Sequence, residues 1–129
     1  MSTRGGWFGP LILLPAILLA ACASMETGLE LPRQAPPEPG AVDTLNRMAS
    51  NDCNPQLTSS LAGARIPIAD VRGLSYGLYR DARRGDIVGY DAWVALRDQP
   101  GAIIVQLNAD CSPRQIYARD GARMPQPQG

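Results

Sequence analysis

Prolines bracket this chain and confine whatever folds to its middle. Leu31 to Gly40 carries four prolines in ten residues, and Pro125-Gln126-Pro127-Gln128-Gly129 closes the sequence. Proline fixes φ and offers no backbone donor, so both stretches favour extended, polyproline-like chain over helix or central strand. Between them lie about 80 residues, Ala41 to Gly121, enough for one small domain. The sequence therefore divides into residues 1–21, a Pro-rich tether over 22–40, a domain over 41–121 and a disordered tail over 122–129.

Within the middle segment, Val42, Leu45, Met48 and Ala49 recur at helical spacing and predict a short helix over 42–51, ended by Asn54-Pro55. Pro55 to Ala62 suits one or two further turns stopping at Gly63. Residues 67–84 are ambiguous. Ile68, Val71, Leu74, Leu78 and Ala82 line one helical face, with Pro67 suited to a helix start and Gly85 to a stop. Leu74, Tyr76 and Leu78 also alternate as in a strand, and Gly73 with Gly77 costs a helix about 2 kcal/mol. Helix is the favoured expectation. Further on, Val88, Tyr90, Ala92, Val94 and Leu96 alternate with Gly89, Asp91, Trp93, Ala95 and Arg97, the pattern of a half-buried strand. Gln99-Pro100-Gly101-Ala102 has the type II turn signature, Ala102 to Asn108 a second strand, and Ile116 to Arg119 a third. The expected class is α+β: two or three short N-terminal helices, then a three-stranded antiparallel meander.

Composition removes several chemistries. The chain has no His, so His-based acid–base catalysis, Ser–His and Cys–His dyads, and His-ligated zinc or haem are excluded. Twelve Arg and no Lys balance nine Asp and three Glu, and this neutral balance lacks the footprint of a nucleic-acid binder. No cofactor is expected.

The first residues speak to compartment. Arg4 precedes an apolar block, Leu11 to Leu19, whose nine residues as helix cover roughly 14 Å, about half of a ~30 Å hydrocarbon core. Pro15 weakens a helix there further. A basic start, a short apolar centre and small residues after it make a secretory signal. Leu19-Ala20-Ala21-Cys22 resembles the lipobox of bacterial lipoproteins: a branched apolar residue, two small residues, then cysteine. The resemblance covers these residues alone. It implies that Cys22 takes a diacylglyceryl group, that the chain is cut before it, and that the mature protein is held on the envelope by lipid. Ala23 and Ser24 lack the aspartate of inner-membrane retention, which makes the outer membrane, facing the periplasm, the expected address. With Cys22 consumed by lipid, the resemblance leaves Cys53 and Cys111 as a disulfide pair in an oxidising compartment.

Candidate sites are sparse. Gly73-Leu74-Ser75-Tyr76-Gly77 matches the G-x-S-x-G nucleophile elbow, but neither a histidine nor a lysine base exists and the domain is too small for that fold. Asp81, Asp86 and Asp91 lie close in sequence and carry the enzyme alternative, a small aspartate-dependent envelope hydrolase. Arg72, Arg80, Arg83 and Arg84 fall on or near one face of the expected helix; they suit lipid phosphates or an acidic partner, though a solvated polar face is the plainer reading. Trp93 shares its strand face with Ile87 and Ala95, which makes that face either a second core layer or an apolar patch for a partner. The functional expectation is a non-enzymatic structural or binding lipoprotein contacting the membrane through Cys22 and an envelope protein or glycan through its domain.

Overall fold

The computed structural model describes residues 31–125. Residues 1–21, read above as a signal, and Cys22 lie outside them, as do residues 126–129. Two helices, α1 (Ala41–Met48) and α2 (Asn54–Gly63), precede a 3-10 turn (Ile68–Asp70) and four strands: β1 (Val71–Arg80), β2 (Ile87–Leu96), β3 (Ala102–Asn108) and β4 (Pro113–Arg119). The strands form one antiparallel sheet in the order β1-β2-β3-β4. The α+β class holds, but the meander has four strands, not three.

The added strand is where a helix was expected. Residues 67–84 form the 3-10 turn, β1 and the turn into β2. Both periodicities fitted the apolar residues, and Gly73 with Gly77 tipped the balance against helix. Pairing with β2 from Val71–Leu96 to Arg80–Ile87 then supplies the hydrogen bonds a helix would have made internally. Two smaller differences follow from local chemistry. α1 ends at Met48, not 51, because Ala49 is extended and its carbonyl is taken by the Asn54 side-chain amide. Proline at the start of β4 does not prevent that strand from reaching Pro113, since β4 is an edge strand.

Helices cover one face of the sheet. Leu45, Leu57, Leu61 and Ile66 meet Val71, Ala92, Val94, Leu96, Ile103, Val105 and Leu107, all buried. The alternation of β2 holds over Tyr90, Ala92, Val94 and Leu96, which face the helices, while Val88 near the strand's start is exposed. Asn54, fully buried at the start of α2, ties the layers together. Its amide nitrogen donates to Asn46 Oδ1 at 2.6 Å and to the Ala49 carbonyl at 2.9 Å, and its Oδ1 accepts from the Tyr76 hydroxyl of β1. The disulfide Cys53–Cys111 joins the start of α2 to the β3–β4 turn, with its Cα atoms 5.0 Å apart.

Part of the proline-rich stretch packs on the domain. Ala35 N–H donates to the Ser59 carbonyl at 3.1 Å, Gln34 Nε2 to Ser60 Oγ at 2.7 Å, and Ile68 N–H to Glu38 Oε2 at 2.7 Å. Gly63 is required for this seat. A Cβ there would stand 2.0 Å from the Arg33 carbonyl oxygen, so the residue expected as a helix stop instead admits a crossing backbone. The helix turns off at Arg65, whose φ of 63° places a non-glycine in the left-handed region. At the other end, the start of the expected disordered tail is instead seated: Ala122 and Met124 pack against the core, and Arg123 N–H donates to Gln99 Oε1 at 2.8 Å.

Candidate functional site

The second face of the sheet carries no helix, and among the described residues no other segment crosses it. The register fixes its occupants. Gly73, Ser75, Gly77 and Tyr79 of β1 stand opposite Ala95, Trp93, Asp91 and Gly89 of β2. Trp93, Asp91 and Gly89 stand opposite Ile104, Gln106 and Asn108 of β3, and Ile104 and Gln106 opposite Tyr117 and Gln115 of β4. Ile104 is 0 % exposed although it faces away from the helices, sheltered between its registered neighbours Trp93 and Tyr117. Arg119 sets its guanidinium 5.1 Å from the centre of the Trp93 ring, a cation–π distance.

Asp91 lies at the centre of this face and is 7 % exposed. Its Oδ2 accepts from the Tyr79 hydroxyl at 2.6 Å, reached from the edge strand. Its Oδ1 is enclosed and has no hydrogen-bond partner among the described residues. A buried acceptor left unpaired costs about 1–3 kcal/mol, and native chains tolerate few of them. Beside it, Trp93 Nε1 and Asp91 Cβ approach the space above Gly77, at 3.9 and 4.0 Å from where a Gly77 Cβ would stand. Trp93 therefore leans its indole N–H toward β1, over a residue with no side chain to obstruct it.

The Tyr79 hydroxyl is held above its ordinary pKa, chiefly by donating to Asp91 and then by the Asp91 charge; Tyr117 acts in the same sense and Arg119 against it. Groups from both edge strands thus converge on one hydroxyl. Tyr76, on the opposite face, is raised further, first by burial and then by Tyr90. A phenol whose pKa rises on folding favours the folded state below its unfolded value near 10, and that contribution is lost as pH climbs through the folded value. The chain has no Lys, so no lysine titration overlaps that of the tyrosines. Urea unfolding at stepped pH is expected to give level stability up to about pH 9 and a decline above about 10. Stability that rose above pH 10 would contradict the burial of Tyr76 and the Tyr79–Asp91 hydrogen bond.

The other sequence candidates do not assemble. The helix that was to carry Arg72, Arg80, Arg83 and Arg84 on one face does not exist. Arg72 starts β1 and donates to the Leu96 carbonyl at 3.0 Å, whereas Arg80 ends that strand, eight residues or roughly 26 Å away, and donates to the Gly85 carbonyl. Arg83 and Arg84 are exposed in the β1–β2 turn, Arg84 3.9 Å from Asp86. Asp81 caps that turn through Arg83 N–H at 2.9 Å. Asp86 immediately precedes β2, while Asp91 stands four residues, roughly 13 Å, beyond Ile87 on the sheet face. Ser75 is in mid-strand, opposite Trp93, not at a strand-to-helix turn.

Trp93 lies on the helix-free face, as its alternation required. Tyr79, Gln106, Tyr117 and Arg119 were not picked out from the sequence, and only Asp91, through its shared parity with Trp93, left a usable signal. Among the described residues no cluster of acidic or cysteine side chains is arranged to hold a metal, and no helix is long and apolar enough to cross a membrane. Comparison with protein-family models, with curated proteins and with solved structures finds no match for this chain.

Proposed function

We propose that the chain is a lipid-anchored binding protein of the bacterial cell envelope, held through Cys22 on the periplasmic side of the outer membrane, and that its helix-free sheet face receives the partner. One observation carries the binding part: the enclosed, unpaired Oδ1 of Asp91 at the centre of an uncovered face that also bears Trp93, Tyr79 and Tyr117. Buried acceptors are nearly always paired, so an unpaired one on an uncovered face marks a place for a group from outside the chain. The lipobox-like Leu19-Ala20-Ala21-Cys22 supports the anchoring part.

The test is photo-crosslinking in the envelope of cells producing the full chain. A photoreactive residue at Ser75 or Gln115, both exposed on the open face, is expected to give discrete adducts. The same residue at Arg47 or Gln56, exposed on the helices, is expected to give none. Adducts confined to the helices, or absent from both faces, would overturn the reading.

A further inference from the structure

We infer that the outer edge of β1 is an interface between two copies of this chain, joined β1 to β1 in antiparallel register across a two-fold axis; the inference stands apart from the open-face reading. The two edges of the sheet are built differently. β4 opens with Pro113 and carries Arg114 and Arg119, residue types that keep a sheet edge from recruiting another strand. β1 has the opposite character. Between its irregularities at Val71/Gly73 and Tyr79/Arg80 runs Gly73-Leu74-Ser75-Tyr76-Gly77-Leu78-Tyr79, a regularly paired stretch with no charge and no proline. The G-x-S-x-G match falls inside this run and serves no elbow. Apart from Leu31, the exposed large apolar side chains among the described residues are Leu78, Tyr79 and Val88, and the first two belong to β1.

This run is its own complement. An axis perpendicular to the sheet, midway between two Tyr76 residues, sets Leu74 of one copy opposite Leu78 of the other, Gly73 opposite Tyr79, and Ser75 opposite Gly77. Symmetry makes each of these pairs occur twice. On the helix side, Leu78, 48 % exposed, is covered by Leu74, which packs against the core. On the open side, the Tyr79 ring meets Gly73, where a Cβ would find nothing within 4 Å in its own chain. The irregularities select this register. A slip of two residues either way pushes the end of the run past one of them, and it sets Leu78 against Arg72 or Leu74 against Arg80. In the symmetric register those arginines lie at the ends, each turned to its own chain, Arg72 on the Leu96 carbonyl and Arg80 on the Gly85 carbonyl. An unrelated strand would have to match the same spacing of leucine and glycine, whereas a second copy carries it already. Two four-stranded sheets thereby become one of eight, with both open faces on the same side.

The test is photo-crosslinking in cells producing the full chain, read by adduct mass and by peptide mapping. A photoreactive residue at Leu78 is expected to give an adduct of twice the chain's mass, linked to residues 73–75 of the second copy. The same residue at Arg114, exposed on the β4 edge, is expected to give no such adduct. Gly73→Asp has open space in its own chain but sets a carboxylate opposite Tyr79 at both ends of the interface. It is expected to cut the Leu78 adduct about tenfold and to leave the melting temperature unchanged. Should Gly73→Asp lower the melting temperature, Ser75→Lys takes its place, because Ser75 is exposed and the two-fold axis brings the two like charges within diagonal reach. The same loss of adduct is expected. An adduct of any other mass at Leu78, a link between copies that maps outside β1, no adduct at all, or an undiminished adduct in a variant that keeps its melting temperature would each overturn the inference. Gln115, on the far edge strand, reports the open face separately, so failure at Leu78 leaves that reading standing.

Discussion

Reduction of the native chain is expected to cost it about 4 kcal/mol of stability, most of what a domain of this size holds. Cys53 and Cys111 are 58 residues apart in sequence. Closing a loop of that length removes chain entropy from the unfolded state worth about 4 kcal/mol, against a total stability of about 5–10 kcal/mol for a small domain. The bond also acts where the fold is otherwise thinly joined. It ties the start of α2 to the β3–β4 turn, at the opposite end of the domain's sequence, and Cys53 is 1 % exposed within the core. Two perturbations separate the contributions. Reductant leaves both sulfur atoms in place and removes only the link, whereas the Cys53→Ala/Cys111→Ala variant also empties space at a fully buried position, for about 1 kcal/mol more. Urea unfolding of the oxidised, reduced and double-alanine chains is expected to order them in that sequence. Two free thiols in the oxidised native protein, Cys22 being excluded, would refute the link. An unchanged midpoint on reduction would show that the core stands without it.

The elements that could be read from sequence are those whose pattern admits one period. Val88 to Leu96 fits only alternation, and Pro100-Gly101 fits only a turn; Gly101 does take the positive φ, 73°, that a type II turn needs. β1 was hidden because Ile68, Val71, Leu74 and Leu78 satisfy a 3.6-residue period while Leu74, Tyr76 and Leu78 satisfy a two-residue one. What decides between them is the partner strand, and pairing is not a local property. The candidate site inherited that ambiguity. With β1 read as helix, Tyr79 could not be placed beside Asp91, and Ser75 looked like part of an elbow. The arginines failed for the same reason, since their shared face was a property of the helix and not of the residues. Gly63 marks a different limit. Its local chemistry reads as a helix stop, and nothing within reach of it in sequence announces that the Arg33 carbonyl will pass where its side chain would be.

Substituting Cys22 with serine is expected to abolish lipid attachment altogether and to leave the precursor uncut. The reading rests on chemistry at one atom: a thiol is alkylated by the diacylglyceryl donor and a hydroxyl is not, and the cleavage that follows requires the lipidated residue. Anchoring strength makes the effect large. Each buried methylene contributes about 0.8 kcal/mol, and one chain holds only reversibly while two or three hold firmly. Membrane fractionation alone is a poor readout, because an uncut precursor keeps the apolar block Leu11 to Leu19 and associates with the bilayer by that route. The decisive measurements are incorporation of labelled fatty acid and the intact mass. Wild type is expected to lose residues 1–21 and gain acyl chains, and Cys22→Ser to keep its N-terminus and gain nothing. With Arg33 already against α2, at most about 40 Å of chain separates Cys22 from the packed domain. A wild-type mass that lacks residues 1–21 but carries no lipid would mark an ordinary exported protein. A Cys22→Ser variant labelled like wild type would remove the basis for placing this chain on a membrane.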